Sequence, residues 1–136
     1  MARLFLEVVT PERVLVSQEV DSVVAPGSEG EFGVLPGHVH FLSGIEPGEL
    51  GYDTGTTKES MAVTSGFAEV SNDNVSILVD AAERAKDVDL ERARQAMERA
   101  KERLAKERGR EDIDFLRAEA ALKRATARLK VKEKAI

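Results

Sequence analysis

Six arginines recur at matched positions in the C-terminal part of this sequence: Arg92, Arg99 and Arg103, then Arg117, Arg124 and Arg128, at an offset of 25 residues. A guanidinium keeps its charge at any working pH and presents a planar fork of donors, so several converging arginines suit the oxygens of a polyanion such as a phosphate chain. They could equally cover apolar surface with their aliphatic stems and pair with Glu98, Glu102 or Glu119. Other chemistries find less support. The run Gly30-Glu31-Phe32-Gly33-Val34-Leu35-Pro36-Gly37-His38 lacks the Lys-Ser or Lys-Thr ending of a phosphate loop, and Pro36-Gly37 indicates a rigid turn. His38 and His40 have a spacing that binds metal on a strand, but no third ligand stands near, so no metal site is expected. Ser65-Gly66-Phe67 lacks the nucleophile-elbow pattern, and no catalytic set is expected.

Two helices must position the arginines. From residue 87 onward proline disappears and Ala, Leu, Glu, Arg and Lys dominate, all strong helix formers. Gly109 and Arg110 interrupt the run, which predicts helices near 89–107 and 114–131 with Asp89 and Asp114 as N-caps. Each has one narrow apolar seam: Leu90, Ala93, Met97, Ala100 and Leu104 on the first, Phe115, Ala118, Leu122, Ala125 and Leu129 on the second. Lys132 lies beyond the seam. A short connection predicts an antiparallel hairpin whose alanines allow close approach. At ~25 cal/mol per Å², seams this thin only about match an ordering cost of ~1–2 kcal/mol per residue. The hairpin is therefore expected to sit near balance, where a ligand or partner decides its position.

The first part reads differently. Leu4–Val9, Val14–Val16, Val20–Val24, Glu59–Val63, Phe67–Val70 and Val75–Val79 are apolar or alternating runs, cut by Pro11, Pro26 and Gly27 and by turn-rich stretches at Asp53–Thr57 and Ser71–Asn74. Many short strands with turns between them predict a small sandwich or barrel.

Charge divides the chain at the same place. Residues 1–84 hold four basic and fourteen acidic side chains, a balance of −10, whereas residues 85–136 hold sixteen and eleven, a balance of +5. Two units with different partners are implied, and they should attract each other. With no cysteine there is neither a disulfide framework nor a thiolate metal site, and a reducing compartment is expected. No window approaches the roughly 18 apolar residues of a membrane span, so any membrane link is expected to run through a partner. A basic hairpin on an acidic sandwich could also bind nucleic acid. Eleven acidic side chains among the sixteen basic ones, and few aromatic residues, argue against that alternative.

In this order the residues resemble the epsilon subunits of F-type ATP synthases over nearly the whole chain. The run Gly30–His38 is similar to the family's N-domain signature, and Ser65-Gly66-Phe67-Ala68-Glu69-Val70 to its second, with Ser65 where glycine is common. Val88-Asp89-Leu90-Glu91-Arg92-Ala93 is similar to the nucleotide-binding motif of many bacterial members, Ile or Leu followed by Asp-x-x-Arg-Ala, with Val88 a conservative departure.

The resemblance implies an α+β fold: a flattened sandwich of about ten strands over residues 1–84, then a regulatory antiparallel two-helix hairpin over 85–136. It implies a non-catalytic rotor subunit without a metal. The sandwich would join the gamma stalk to the c-ring through Glu31, Phe32 and His38. The helices would fold against the sandwich or extend towards the alpha and beta subunits and hinder ATP hydrolysis. ATP would be a regulatory ligand, bound without hydrolysis and favouring the folded form. Glu83, Asp89, Arg92, Ala93, Arg99, Arg124 and Arg128 match the family's nucleotide contacts, with Arg117 a further candidate. The implied location is peripheral, on the cytoplasmic face of the bacterial plasma (inner) membrane.

Overall fold

The computed structural model describes residues 2–106 and 113–135. Ten strands come first: β1 (Leu4–Val9), β2 (Val14–Val20), β3 (Ser22–Gly27), β4 (Gly30–Val34), β5 (Phe41–Ile45), β6 (Gly48–Asp53), β7 (Lys58–Val63), β8 (Gly66–Ser71), β9 (Asn74–Val79) and β10 (Ala82–Arg84). A 3₁₀ turn at Ala85–Asp87 leads to helices α1 (Leu90–Lys106) and α2 (Ile113–Ala135). The expected α+β architecture, a sandwich of about ten strands followed by a helical hairpin, is what forms.

Period-2 alternation drives the sandwich. Leu4, Leu6 and Val8 of β1 point inward, as do Val75, Ile77 and Val79 of β9, and the two strands run parallel with Leu6 opposite Val75. The hydrogen-bonded path is β10-β7-β6-β3-β5-β8-β9-β1-β2, with β4 attached to β3. It doubles over at β3, whose first half pairs with β6 and whose end, Gly27, pairs with Ile45 of β5. Leu50 and Met61 from one layer thereby share a core with Leu6, Val70 and Ile77 from the other. Burial of such side chains at ~25 cal/mol per Å² is the main stabilising term.

Two strand expectations need correction. The run Val20–Val24 is not one strand: it bends at Asp21, so Val20 ends β2 and Ser22 begins β3. Pro26 and Gly27 do not stop β3 either. Pro26 pairs with Glu31 of β4, and its missing N–H falls where β3 passes from β6 to β5, so no ladder bond is lost there. Arginine side chains bond across the gap between the two layers. Arg84 of β10 donates to the carbonyl of Leu15 on β2, and Arg3 donates to Thr54 O at 2.6 Å while holding Asp21 at 3.0 Å.

The hairpin lies folded on the sandwich, α1 against α2 and α2 against β6 and β7. Both seams face inward: Ala93, Ala100, Ala118, Ala125 and Leu129 are buried, and Leu90, Met97, Leu104, Phe115 and Leu122 are half-buried. Asp89 caps α1, its Oδ1 accepting the Arg92 N–H at 3.1 Å. The break at Gly109-Arg110 lies outside the described residues, and the expectation of Asp114 as an N-cap needs correction: α2 already includes Ile113, so Asp114 is the second residue of the helix and not the one before it.

Helix α2 runs about a turn past the expected end because it has a second buried face. Ala127 and Val131 pack on Ala62 of β7. Lys132 donates to Ala85 O at 3.2 Å, and Lys134 to Glu49 Oε1 at 2.8 Å. Lys123 meets Glu46 at 3.2 Å and Arg128 meets Glu83 at 2.8 Å, so the opposite charges of the two units do attract.

Candidate ligand cleft and assembly surface

A cleft of about 440 Å³ opens where α1, α2 and the β7–β10 side of the sandwich meet. Helix α1 supplies Arg99 and, one turn on, Arg103; α2 supplies Arg124 and Arg128, also a turn apart; β10 supplies Glu83. Small side chains build the walls, among them Ala62, Ala82, Ala96, Ala121 and Ala125, and leave room for a flat or slender ligand. A second hollow of about 400 Å³, lined by Arg92 and Gln95, shares Ala96, Arg99 and Arg128 with the first.

Four arginines therefore share the cleft with one carboxylate, and Arg92 stands in the adjoining hollow. Among the described residues, the side chains of Arg92, Arg99, Arg103, Arg117 and Arg124 make no ion pair or hydrogen bond, and Glu98, Glu102 and Glu119 take none of them. The exception is Arg128, with Nε 2.8 Å from Glu83 Oε1 and Nη2 3.4 Å from Oε2. The closer contact is bent away from a hydrogen-bonding line, and Nε is shielded from solvent without an aligned acceptor. The attraction there is Coulombic more than directional. A phosphate chain is a stronger ligand for four free guanidinium groups than one carboxylate.

Of the seven residues matched by resemblance, Glu83, Arg99, Arg124 and Arg128 line the main cleft and Arg92 the adjoining hollow. Asp89 and Ala93 stand outside both walls. Asp89 fixes the start of α1, and Ala93 is fully buried against Val88 and Leu129, so these two hold the frame that aims Arg92. Arg117 is exposed and lines neither hollow. Two further polar residues line the main cleft without being among those seven. Arg103 sits in the arginine register, which already signalled it; Thr64 comes from the β7–β8 loop and has no sequence signal. Among the described residues no group of three or more His, Cys, Asp or Glu could hold a metal ion.

None of the three residues expected to meet partners lines the arginine cleft. Glu31 is exposed on β4, and Phe32 is half-buried with its ring edge-on to Phe41 at 5.1 Å. His38 follows a turn in which its N–H reaches Leu35 O at 3.1 Å, and its Nδ1 lies 2.7 Å from Val39 O. His40 faces Glu69 at 3.7 Å. An apolar row also crosses the outer face of the sheet, from Phe67 to Leu78, Val9 and Val14, all adjacent in register. Its signal was apolar residues at both parities of a strand, as in Ile77-Leu78-Val79.

Comparison with known proteins covers both halves of the chain. Residues 3–85 match the family model described as ATP synthase, Delta/Epsilon chain, beta-sandwich domain, and residues 86–133 match its long alpha-helix domain. The ATP synthase epsilon chain of Syntrophobacter fumaroxidans is 54% identical over 132 residues, covering 97% of each chain. That of Nitratidesulfovibrio vulgaris is 51% identical over 102 residues, covering 75% of this chain and 76% of the relative. Among solved structures, a chain in the Euglena gracilis mitochondrial ATP synthase, OSCP/F1/c-ring, superposes with a TM-score of 0.80 at 25% identity, covering 99% of this chain and 81% of that one. A chain in the central stalk/c-ring of the Tetrahymena thermophila mitochondrial ATP synthase shares the fold at 19% identity, with a TM-score of 0.62 and coverage of 98% and 96%. Both halves of the chain, and the order in which they follow one another, make it a member of the ATP synthase delta/epsilon chain family.

Proposed function

We propose that this chain is a non-catalytic subunit of the rotor of a bacterial F-type ATP synthase, and that its hairpin regulates ATP hydrolysis with ATP as the ligand that keeps it folded. The sandwich binds the gamma stalk and the c-ring, using the His38 turn and the apolar row on its outer face. The hairpin, when released, extends towards the alpha and beta subunits. The chain thus sits peripherally on the cytoplasmic face of the plasma membrane. Among the described residues no helix is long and apolar enough to cross a membrane.

The observation that carries the regulatory reading is the origin of the cleft walls: α1, α2 and β10 each contribute charged groups. A ligand spanning them binds the folded form alone, because release of the hairpin takes the site apart. Such binding stabilises the folded form by RT ln(1 + [L]/Kd), roughly 2.7 kcal/mol at a hundredfold excess over Kd. A near-balanced hairpin is decided by that amount.

Calorimetry with ATP on the full chain tests this. Arg124→Ala removes a charge-assisted contact worth ~1.5–3 kcal/mol, roughly a tenfold to hundredfold loss of affinity, whereas Lys101→Ala on the exposed side of α1 leaves binding unchanged. Asp89→Ala weakens binding indirectly by fraying the turn that carries Arg92. Absence of heat with the wild-type chain at millimolar ATP would sink the proposal.

A further inference from the structure

We propose that Asp73 is the positioning residue of the His38 assembly surface, its carboxylate holding the Leu35–His38 turn in the one shape the c-ring can meet. The inference rests on the reading of that turn as a c-ring contact. It concerns a residue on a different hairpin, 36 positions away in the chain.

The turn has Pro36 and Gly37 at its centre, with Gly37 at φ +87° and the His38 N–H bonded to Leu35 O. Those are the features of a type II turn, in which proline occupies the first central position and glycine the left-handed second. Type I and type II turns differ by a flip of the central peptide, and glycine tolerates both. Pro36 presets its own φ but leaves the orientation of the next peptide free. Nothing within the turn bonds the Gly37 N–H. It donates instead to Asp73 Oδ1 at 2.7 Å, a short charge-assisted bond that holds the central peptide in the type II orientation.

Asp73 is mounted rigidly. It shares the tight β8–β9 turn with Asn72, at φ 61° and 50°, and its own carbonyl accepts the Phe5 N–H of β1 at 2.8 Å. The left-handed backbone at Asp73 is one that glycine adopts more easily. An aspartate there is less at ease than glycine would be, yet tolerates the turn and gains an acceptor aimed across the gap. What it positions is a cluster of unusually bare apolar side chains around the turn: Leu35 is 64% exposed, Val39 73% and Leu42 69%. Exposed apolar groups next to a turn held in one conformation fit a folded protein loop as partner, since preorganisation lowers the ordering cost of docking.

The test measures affinity of the full chain, in complex with gamma, for detergent-solubilised c-ring. Asp73→Gly relieves the backbone strain and deletes the acceptor, so its melting temperature holds or rises while affinity falls roughly tenfold. Asp73→Asn keeps an oxygen acceptor and tolerates the same backbone, so it binds within about twofold of wild type. Leu35→Ala reports on the contact itself and should also weaken binding. If Leu35→Ala binds less tightly but Asp73→Gly binds like wild type, the positioning role is wrong and the contact stands. Should Leu35→Ala bind normally, the contact reading fails and takes the inference with it. A loss in Asp73→Asn equal to that in Asp73→Gly would assign the effect to charge and likewise overturn the role.

Discussion

Removing the Arg128–Glu83 pair should loosen the docked hairpin by an amount that the geometry limits. Arg128 is 26% and Glu83 37% exposed at the side chain, between the surface pairs that contribute ~0.2–1 kcal/mol and the buried ones whose breakage costs ~3–5 kcal/mol. The Nε contact is not aligned for a hydrogen bond and the Nη2 contact is long at 3.4 Å, which pulls the expectation towards the lower end. About 1 kcal/mol of coupling follows for the pair, roughly a fivefold shift in the docked-to-released ratio. The buried apolar part of this interface is only two alanines and a valine, so the shift should be visible. The chain has no cysteine, so dyes on Lys58→Cys and Lys130→Cys report the distance from β7 to α2 without background. A double-mutant cycle with Glu83→Gln and Arg128→Gln, nucleotide-free and at low and high salt, isolates the pair. Coupling below about 0.3 kcal/mol, or unchanged at high salt, would refute the idea that opposite charge holds the hairpin down.

Two further outcomes concern the sandwich. Gly66→Ala places a Cβ 1.9 Å from Leu78 O, a backbone atom that cannot step aside, so denaturant unfolding should show a loss of about 3 kcal/mol, whereas Gly33→Ala, whose Cβ meets only Val23 O at 3.9 Å, should be nearly neutral. Burial raises the Tyr52 pKa above its ordinary 10.0 despite the nearby Arg84, so its stabilisation is complete below pH 10 and declines as pH rises through the folded value; melting curves across that range should show Tyr52→Phe lacking this decline.

Legibility in the sequence followed the range of the interactions involved. Strands such as β1, β7 and β9 were readable because alternation is local, as were Asp89 and the seam positions of both helices. The bend at Asp21 was not, because a lone aspartate between valine-rich runs carries no turn signature. Nor was the passage of β3 through Pro26, which depends on which neighbour pairs with each half. The second face of α2 escaped because Ala127 and Val131 stand among arginines and lysines, and their burial is decided by Ala62 on a distant strand. In the cleft, Arg99, Arg124 and Arg128 were legible as a register within a repeat. The ligation of Arg128 by Glu83 was not, since it exists only once α2 lies on β10.

The smallness of the side chains between α2 and the sandwich bears on what happens after release. Lifting α2 uncovers Ala62, Ala127 and Val131, with the half-buried Ala85 beside them, while Lys123, Lys134, Glu46 and Glu49 regain water. A face of leucines would have left a sticky patch on both halves, open to capture by neighbouring chains in a crowded cell. Alanine and valine leave little to aggregate, so the proposed release of the hairpin would expose little sticky surface each time.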